Sequence, residues 1–151
     1  MAEICSTHNC TNLKCGRSER CEKCKGYWSA CRASVSNAKN RVSDSKSHAF
    51  MRTKNARGLE HTITTKWLFD IVVKQNFKCP ISGLTYDYSK GTGKQSRNPK
   101  RISLDRINHT IGYIPSNIRV CSSLCNTNGI FTRKHAKEIA KEILKLSLIH
   151  I

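Results

Sequence analysis

Six of the nine cysteines of this 151-residue chain lie within its first 31 residues. Residues 5 to 24 carry few large apolar side chains, so hydrophobic burial cannot order this segment. A disulfide framework is disfavoured because no apolar signal segment precedes it, and disulfides form mainly in exported proteins. The cysteines therefore predict an intracellular protein whose first segment is ordered by bound metal.

The pair Cys21 and Cys24 has the spacing of a zinc knuckle, in which two thiolates at i and i+3 take adjacent corners of a tetrahedron. A second pair of ligands must come from elsewhere in the same segment. The candidates are Cys10 and Cys15, with Cys5, His8 and Cys31 as alternates. Such a site would be structural, because the metal would fold a segment that lacks its own core.

The chain is strongly basic, with 27 Lys+Arg against 10 Asp+Glu and a formal net charge of +17. This charge predicts a polyanionic partner, nucleic acid before an anionic membrane surface. Cations concentrate between residues 17 and 57 and in a loop from 88 to 101, where they are expected to contact phosphates. The candidate DNA-binding residues are Lys39, Arg41, Arg52, Lys54, Arg57, Lys94, Arg97 and Arg101.

Apolar spacing predicts an α+β chain with a polar helical region over 27–57 and a helix capped by Thr64 or Thr65 that stops near Asn76. Two strands are predicted over 102–107 and 117–121, then a helix over 122–131 capped by Ser122 or Ser123, and a final helix from about 132. No apolar run approaches the length of a membrane span. The expected organisation is a zinc knuckle (1–31), a basic helical DNA-binding region (32–76), a core (77–131) and a C-terminal helix (132–151).

Among the ten carboxylates, Asp105 stands out because it lies inside an apolar strand, between Leu104 and Ile107. Metal-dependent nucleases usually need acidic metal ligands. No Glu-x-Lys tripeptide occurs, which disfavours the nuclease class built on Asp plus that motif. Asp105 is therefore the one carboxylate in a setting typical of catalysis.

The residues around Asp105 resemble the HNH, or ββα-metal, endonuclease motif. The matching segments are Leu104-Asp105-Arg106-Ile107-Asn108, Gly112-Tyr113, Asn117-Ile118-Arg119-Val120-Cys121 and Cys125-Asn126. Residues 55–64 and 78–84 are similar to stretches that precede the motif in many phage and bacterial members. Within the family, the resemblance is closest to small cysteine-rich restriction enzymes. It implies a ββα-metal core with added helices and an N-terminal zinc knuckle.

The resemblance also implies roles for single residues. Asp105 would be a ligand of a catalytic Mg²⁺ or Mn²⁺, and Asn126 would be the second protein ligand, through its amide oxygen. Asn117 would hold the loop before the second strand by hydrogen bonds. The metal would polarise the scissile phosphate and stabilise the leaving oxygen.

Arg106 departs from the family pattern, because most members carry a histidine general base at this position. A guanidinium cannot accept a proton, so Arg106 is expected to bind the scissile phosphate instead. A base would have to come from elsewhere. The candidates are His109, Tyr113, Tyr86, Tyr88 and a metal-bound or bulk water.

The cysteines after residue 31 resemble a degraded version of the second zinc site of cysteine-rich members. Cys79 lacks a CxxC partner, because Ser82 stands there, and Cys121 and Cys125 are separated by three residues rather than two. A site built from these three thiols would need a distant fourth ligand. The alternative is that they are small buried hydrophobic residues.

Together these features predict a metal-dependent endonuclease of double-stranded DNA, most similar to site-specific restriction enzymes, in the cytoplasm of a bacterium or of a phage- or virus-infected cell. Alternatives are a homing or nicking enzyme of a phage or mobile element, and a catalytically inactive zinc-dependent DNA-binding module. RNA binding has little support, because aromatic stacking residues are few. A homodimer would allow both strands to be cut. Neither a membrane nor a small-molecule substrate is expected.

Overall fold

The structure is a computed structural model, and it describes residues 3–7, 10–12, 17–43, 56–89 and 98–129. This part of the chain is a small α+β fold with three α-helices and one two-stranded antiparallel sheet. In chain order the elements are α1 (Glu22–Val42), α2 (Thr65–Lys74), β1 (Ile102–Arg106), β2 (Ile118–Ser122) and α3 (Ser123–Asn128). The predicted C-terminal helix over 132–151 lies outside the described residues.

Helix α1 begins at Cys21, which acts as its N-cap through a sulfur atom: Sγ accepts a hydrogen bond from the backbone N–H of Cys24 at 3.4 Å. The helix ends at Val42, and Ser43 is extended. The helical region predicted over 27–57 therefore starts five residues too late and wrongly includes the extended Ser43, and its residues 44–55 lie outside the described residues. The start was missed because capping rules look for an oxygen-bearing side chain and not for a thiol. At the other end, residues 56–58 form a turn that is not part of the helix.

Helix α2 matches its prediction closely. Thr64 caps it, with Oγ1 accepting from the backbone N–H of Trp67 at 3.2 Å. The helix buries Leu68, Phe69 and Val72 on one face. The chain then leaves the helix axis at Asn76, whose φ is +52°.

The sheet pairs β1 with β2, and Asp105 lies opposite Arg119. The link between the strands contains a short 3₁₀ turn, Pro115–Asn117, which ends where β2 begins. Helix α3 follows β2 directly, so the order strand, strand, helix agrees with the predicted elements. Ser122 is the N-cap residue of α3, although its side chain does not make the capping hydrogen bond.

The core lies where α1 packs against α2 and β1. Tyr27 of α1 stacks on Phe77 at 4.6 Å between ring centroids, and its hydroxyl donates to the backbone carbonyl of Tyr86. Trp28 meets Phe69 of α2 edge-on. These contacts explain how a helix as polar as α1 is held. In the described ranges, no helix has the length and apolar character needed to cross a bilayer.

Candidate metal centre and nucleic-acid site

Four cysteines of the N-terminal segment converge on one point. The sulfur atoms of Cys5, Cys10, Cys21 and Cys24 all lie within 4.8 Å of one another. Cys10 Sγ is 3.7 Å from Cys21 Sγ and 3.6 Å from Cys24 Sγ. Four thiolates around a tetrahedral zinc ion, with Zn–S of about 2.3 Å, would lie about 3.8 Å apart. This cluster could therefore hold one metal ion such as zinc.

The environment of the cluster splits the four thiols into two pairs. Burial acts to raise the pKa of each, but hydrogen-bond donors near Cys5 and Cys21 outweigh it, and the pKa of Cys5 falls to about 6. One such donor is Asn12, whose Nδ2 is 3.7 Å from Cys21 Sγ. Burial dominates for Cys10 and Cys24, whose pKa values are raised. The lowered pKa values of Cys5 and Cys21 make these two thiols easier to deprotonate than Cys10 and Cys24, and the thiolate is the form that binds metal.

Three of the predicted ligands, Cys10, Cys21 and Cys24, are brought together, and the fourth member of the cluster is the alternate Cys5. The favoured Cys15 and the alternate His8 lie outside the described residues. Cys31 is not in the cluster: it sits two turns further along α1, fully buried, and burial raises its pKa to about 12. The backbone N–H of Cys5 donates to the Asn12 carbonyl at 2.9 Å and that of Ser6 to the Glu19 carbonyl at 2.8 Å, and cysteine spacing alone does not reveal this pairing.

A second group of polar residues surrounds Asp105 on the sheet. Asp105 is 8% exposed, and its Oδ2 accepts from Nη1 of Arg119 at 3.3 Å. Asn126 of α3 donates its Nδ2 to Ser103 Oγ at 2.8 Å and to the Leu104 carbonyl at 3.4 Å. Ser103 and Asp105 share one face of β1, because side chains alternate along a strand. Asn126 therefore lies on the face that carries Asp105, and the hydrogen bonds of its NH₂ group fix the orientation of its amide oxygen.

Asn117 holds the loop between the strands from within. Its Oδ1 accepts from the backbone N–H of Asn108 at 2.9 Å, and its Nδ2 contacts the carbonyls of Asn108, Ile111 and Gly112 at 2.9 to 3.2 Å. The residue is 5% exposed. This arrangement matches the loop-holding role that the sequence predicts for it.

Asn117→Asp should cost about 3 kcal/mol of unfolding free energy, because a carboxylate would face three carbonyl oxygens in a buried site. Asn108→Ala is the matched control. Its side chain is exposed and accepts only from Thr110, so its loss should cost less than about 1 kcal/mol. Urea denaturation measures both, and equal losses would contradict the role of Asn117.

Arg106 is buried and points into the loop. Its Nη1 donates to the carbonyls of His109 at 2.9 Å and Ile111 at 3.3 Å, and its guanidinium lies 5.4 Å from the ring centroid of Tyr113. Strand alternation places it on the opposite face of β1 from Asp105. This geometry favours a role in bracing the loop over the predicted contact with the scissile phosphate.

Tyr113, predicted as a candidate base, fastens the loop to the preceding segment. It is 3% exposed, its backbone pairs with His61, and its hydroxyl accepts from Nη1 of Arg41 at 3.3 Å. The neighbouring Gly112 is required, because a Cβ there would collide with the backbone of Glu60. Tyr113 therefore packs the loop on the face away from Asp105.

The other candidate bases are placed as follows. His109 is exposed in the loop, and its carbonyl braces Arg106. Tyr86 is buried, its hydroxyl donates to Gln75 Oε1 at 2.9 Å, and burial raises its pKa. Tyr88 is 42% exposed and meets the ring of Tyr27 edge-on. Burial and a raised pKa make Tyr86 unsuited to accept a proton, and Tyr88 packs beside α1.

Two of the predicted DNA-binding cations, 60 residues apart in sequence, meet at one polar cleft. Arg41 of α1 and Arg101, just before β1, line a space of about 130 Å³. The remaining polar lining is Ser34, Asn37, Ser103 and Ser123. No acidic side chain appears in this lining, and Ser103 also receives the hydrogen bond from Asn126. The cleft is thus a basic, hydroxyl-rich space that reaches Ser103, which lies on the same face of β1 as Asp105.

The remaining predicted DNA-binding cations fall into two groups. Lys39 and Arg57 are exposed. The others, Arg52, Lys54, Lys94 and Arg97, lie outside the described residues.

No protein-family model, curated protein or solved structure matches this chain. What the molecule does must therefore be inferred from the cluster, the Asp105 face and the cleft.

Proposed function

We propose that this protein is a metal-dependent endonuclease of double-stranded DNA with a ββα-metal core formed by β1, β2 and α3. The observation that carries the proposal is the placement of Asp105 and Asn126 on one face of the sheet, next to a loop held by Asn117. Burying a carboxylate and fixing the orientation of an amide both cost free energy. They are expected where a cation is bound.

The donor set suits a hard cation such as Mg²⁺ or Mn²⁺. Asp105 supplies a carboxylate oxygen and Asn126 an amide oxygen, and Mg²⁺ binds few protein oxygens and completes its shell with water and phosphate. When bound, such an ion polarises a phosphodiester and stabilises the leaving oxygen. Arg119, which pairs with Asp105 at 3.3 Å, would orient the carboxylate.

The cleft beside this face supports the choice of a nucleic-acid substrate. Arg41 and Arg101 provide two guanidinium groups, and Ser34, Ser103 and Ser123 provide hydroxyl donors. This is the chemistry that holds a backbone phosphate, since guanidinium groups bind phosphate oxygens through charge-assisted hydrogen bonds. A phosphate held there would lie next to Ser103 and thus beside Asn126.

A structural zinc ion in the cysteine cluster is part of the same proposal. The cluster lies at the start of α1, and Arg41 lies in the last turn of the same helix. Metal in the cluster would order the N-terminal segment and set the position of α1 against the sheet. The zinc ion would thus support the cleft without taking part in the reaction.

The test is incubation of the purified protein with supercoiled plasmids of varied sequence, with Mg²⁺, with Mn²⁺ and with EDTA. Metal-dependent nicking or linearisation is expected. A broad set of plasmids is needed because a site-specific enzyme cuts only its own sequence. Absence of cutting on every substrate, together with tight DNA binding, would instead favour a non-catalytic DNA-binding module. The inward-facing Arg106 favours this second candidate.

Arg101→Gln should weaken DNA binding about tenfold and lower the slope of log affinity against log salt by about one, because one phosphate contact is lost. Arg32→Gln is the matched control, since Arg32 is an exposed cation on α1 that does not line the cleft. Fluorescence anisotropy over a salt series measures both variants. An equal loss for the two would contradict a phosphate site in the cleft.

A further inference from the structure

A second group of four converging side chains lies away from the N-terminal cluster, where the turn at Cys79 meets the start of α3. Its members are Cys79, Ser82, Ser122 and Cys125, here called the thiol–hydroxyl tetrad, and all four are buried. Cys79 and Ser82 are spaced as C-x-x-S, and Ser122 and Cys125 as S-x-x-C. Two short turns thus each bring one thiol and one hydroxyl to the same place.

The turn at Cys79 repeats the knuckle geometry of the N-terminal cluster. The backbone N–H of Ser82 donates to Cys79 Sγ at 3.4 Å, as that of Cys24 donates to Cys21 Sγ at 3.4 Å. A serine therefore stands where the knuckle places its second thiol. The two turns thus share their residue spacing and the hydrogen bond from a backbone N–H to the first sulfur atom.

The sulfur–sulfur and oxygen–oxygen separations in the tetrad agree with those of a tetrahedral metal site. Cys79 Sγ and Cys125 Sγ are 3.9 Å apart, and the hydroxyl oxygens of Ser82 and Ser122 are 3.4 Å apart. Around a zinc ion, sulfur ligands would be separated by about 3.8 Å and oxygen ligands by about 3.3 Å. The geometry fits a metal, so the chemistry of the donors decides whether one binds.

The donors do not suit zinc. Structural zinc sites use thiolate, imidazole or carboxylate ligands, and a serine hydroxyl stays protonated at neutral pH. In the tetrad the hydroxyls are used as hydrogen-bonding groups instead. Ser122 Oγ donates to Cys125 Sγ at 3.4 Å, the backbone N–H of Ser122 donates to Cys79 Sγ at 3.3 Å, and that of Leu84 donates to Ser82 Oγ at 3.3 Å. Every member has a partner without an ion.

We propose that the tetrad is a metal-free counterpart of a four-thiolate zinc site, in which hydrogen bonds join the two turns in place of an ion. Among the residues that the structure describes, the N-terminal cluster is then the one group that needs zinc. The two serines are all that separates the tetrad from a second zinc site. The inference does not depend on nuclease activity.

This assignment also revises the grouping predicted from sequence. That grouping placed Cys121 with Cys79 and Cys125 and required a distant fourth ligand. The structure instead combines two of these cysteines with Ser82 and Ser122. Cys121 lies on β2, is fully buried and is not a corner of the tetrad.

The double variant Ser82→Cys/Ser122→Cys should bind one zinc ion more per chain than the wild-type protein. The matched control is Ser82→Cys/Ser123→Cys, which adds the same two thiols but moves one of them a single position along the chain, away from the tetrad. Elemental analysis after gel filtration counts the metal. Cobalt substitution gives a second readout, since thiolate-to-cobalt charge-transfer absorption should roughly double in the double variant and stay unchanged in the control.

Two results would overturn the proposal. The first is a wild-type protein that binds two zinc ions, with Cys79→Ser reducing the count by one, and this measurement needs no engineered site. The second is a folded double variant with the metal content of the wild type. A wild-type count of one that Cys79→Ser leaves unchanged would support the proposal even if the double variant did not fold.

Discussion

Asp105→Asn should reduce DNA cleavage by about 10³-fold or more while leaving DNA binding largely intact. The substitution keeps the shape of the side chain and removes the charge that would hold the catalytic cation. Asp105 is buried and pairs with Arg119 on the face of β1 that Asn126 reaches through Ser103. Plasmid nicking under single-turnover conditions gives the rate, and anisotropy gives the affinity.

Asp70→Asn is the matched control for this variant. Asp70 is an exposed helical carboxylate paired with Lys66, and such a surface pair contributes little to stability. It should cut at the wild-type rate. Since Asp105→Asn also removes the negative charge that pairs with Arg119, circular dichroism and a thermal melt must show that it is folded. A folded Asp105→Asn protein that cuts normally would rule out Asp105 as the metal ligand.

Cys24→Ser should abolish zinc binding in the N-terminal cluster and lower the melting temperature by roughly 10 °C or more. The expected effect is large because a structural zinc site can contribute on the order of 10 kcal/mol to folding. Cys24 also lies in the first turn of α1, whose Tyr27 and Trp28 pack on the core, so loosening this end exposes apolar surface. Elemental analysis and differential scanning calorimetry measure the two effects.

Cys31→Ser separates metal loss from loss of a buried thiol. Cys31 is fully buried on the same helix but lies outside the cluster, so this variant should lose some stability and keep its zinc. Cys5→Ser and Cys15→Ser then identify the fourth ligand. Loss of zinc in Cys15→Ser but not in Cys5→Ser would show that Cys5 is not a ligand.

Local rules were sufficient where one short segment determines its own conformation. The cap at Thr64 and the two strands around Asp105 follow from residue type and spacing, and the structure confirms them. The Cys21–Cys24 knuckle was found for the same reason. Its sulfur cap on α1 was not, because capping preferences are drawn from oxygen side chains.

What could not be predicted depends on contacts between distant segments. Cys5 joins the cluster through backbone pairing with Asn12, and the tetrad forms because residues 40 positions apart meet. The inward direction of the Arg106 side chain could not be predicted either, because it depends on the loop carbonyls that accept its hydrogen bonds. In each case the sequence shows the chemical groups but not their neighbours.

Helix α1 sets the distance between the cysteine cluster and the basic cleft. From Cys21 to Arg41 it advances 20 residues, which at 1.5 Å per residue is about 30 Å. Because an α-helix changes length very little, the distance between the cysteine cluster and the basic cleft is set by the number of residues between them. Inserting or deleting one helical turn of α1 between Cys24 and Ser34, its first cleft-lining residue, would therefore change this distance by about 5.4 Å.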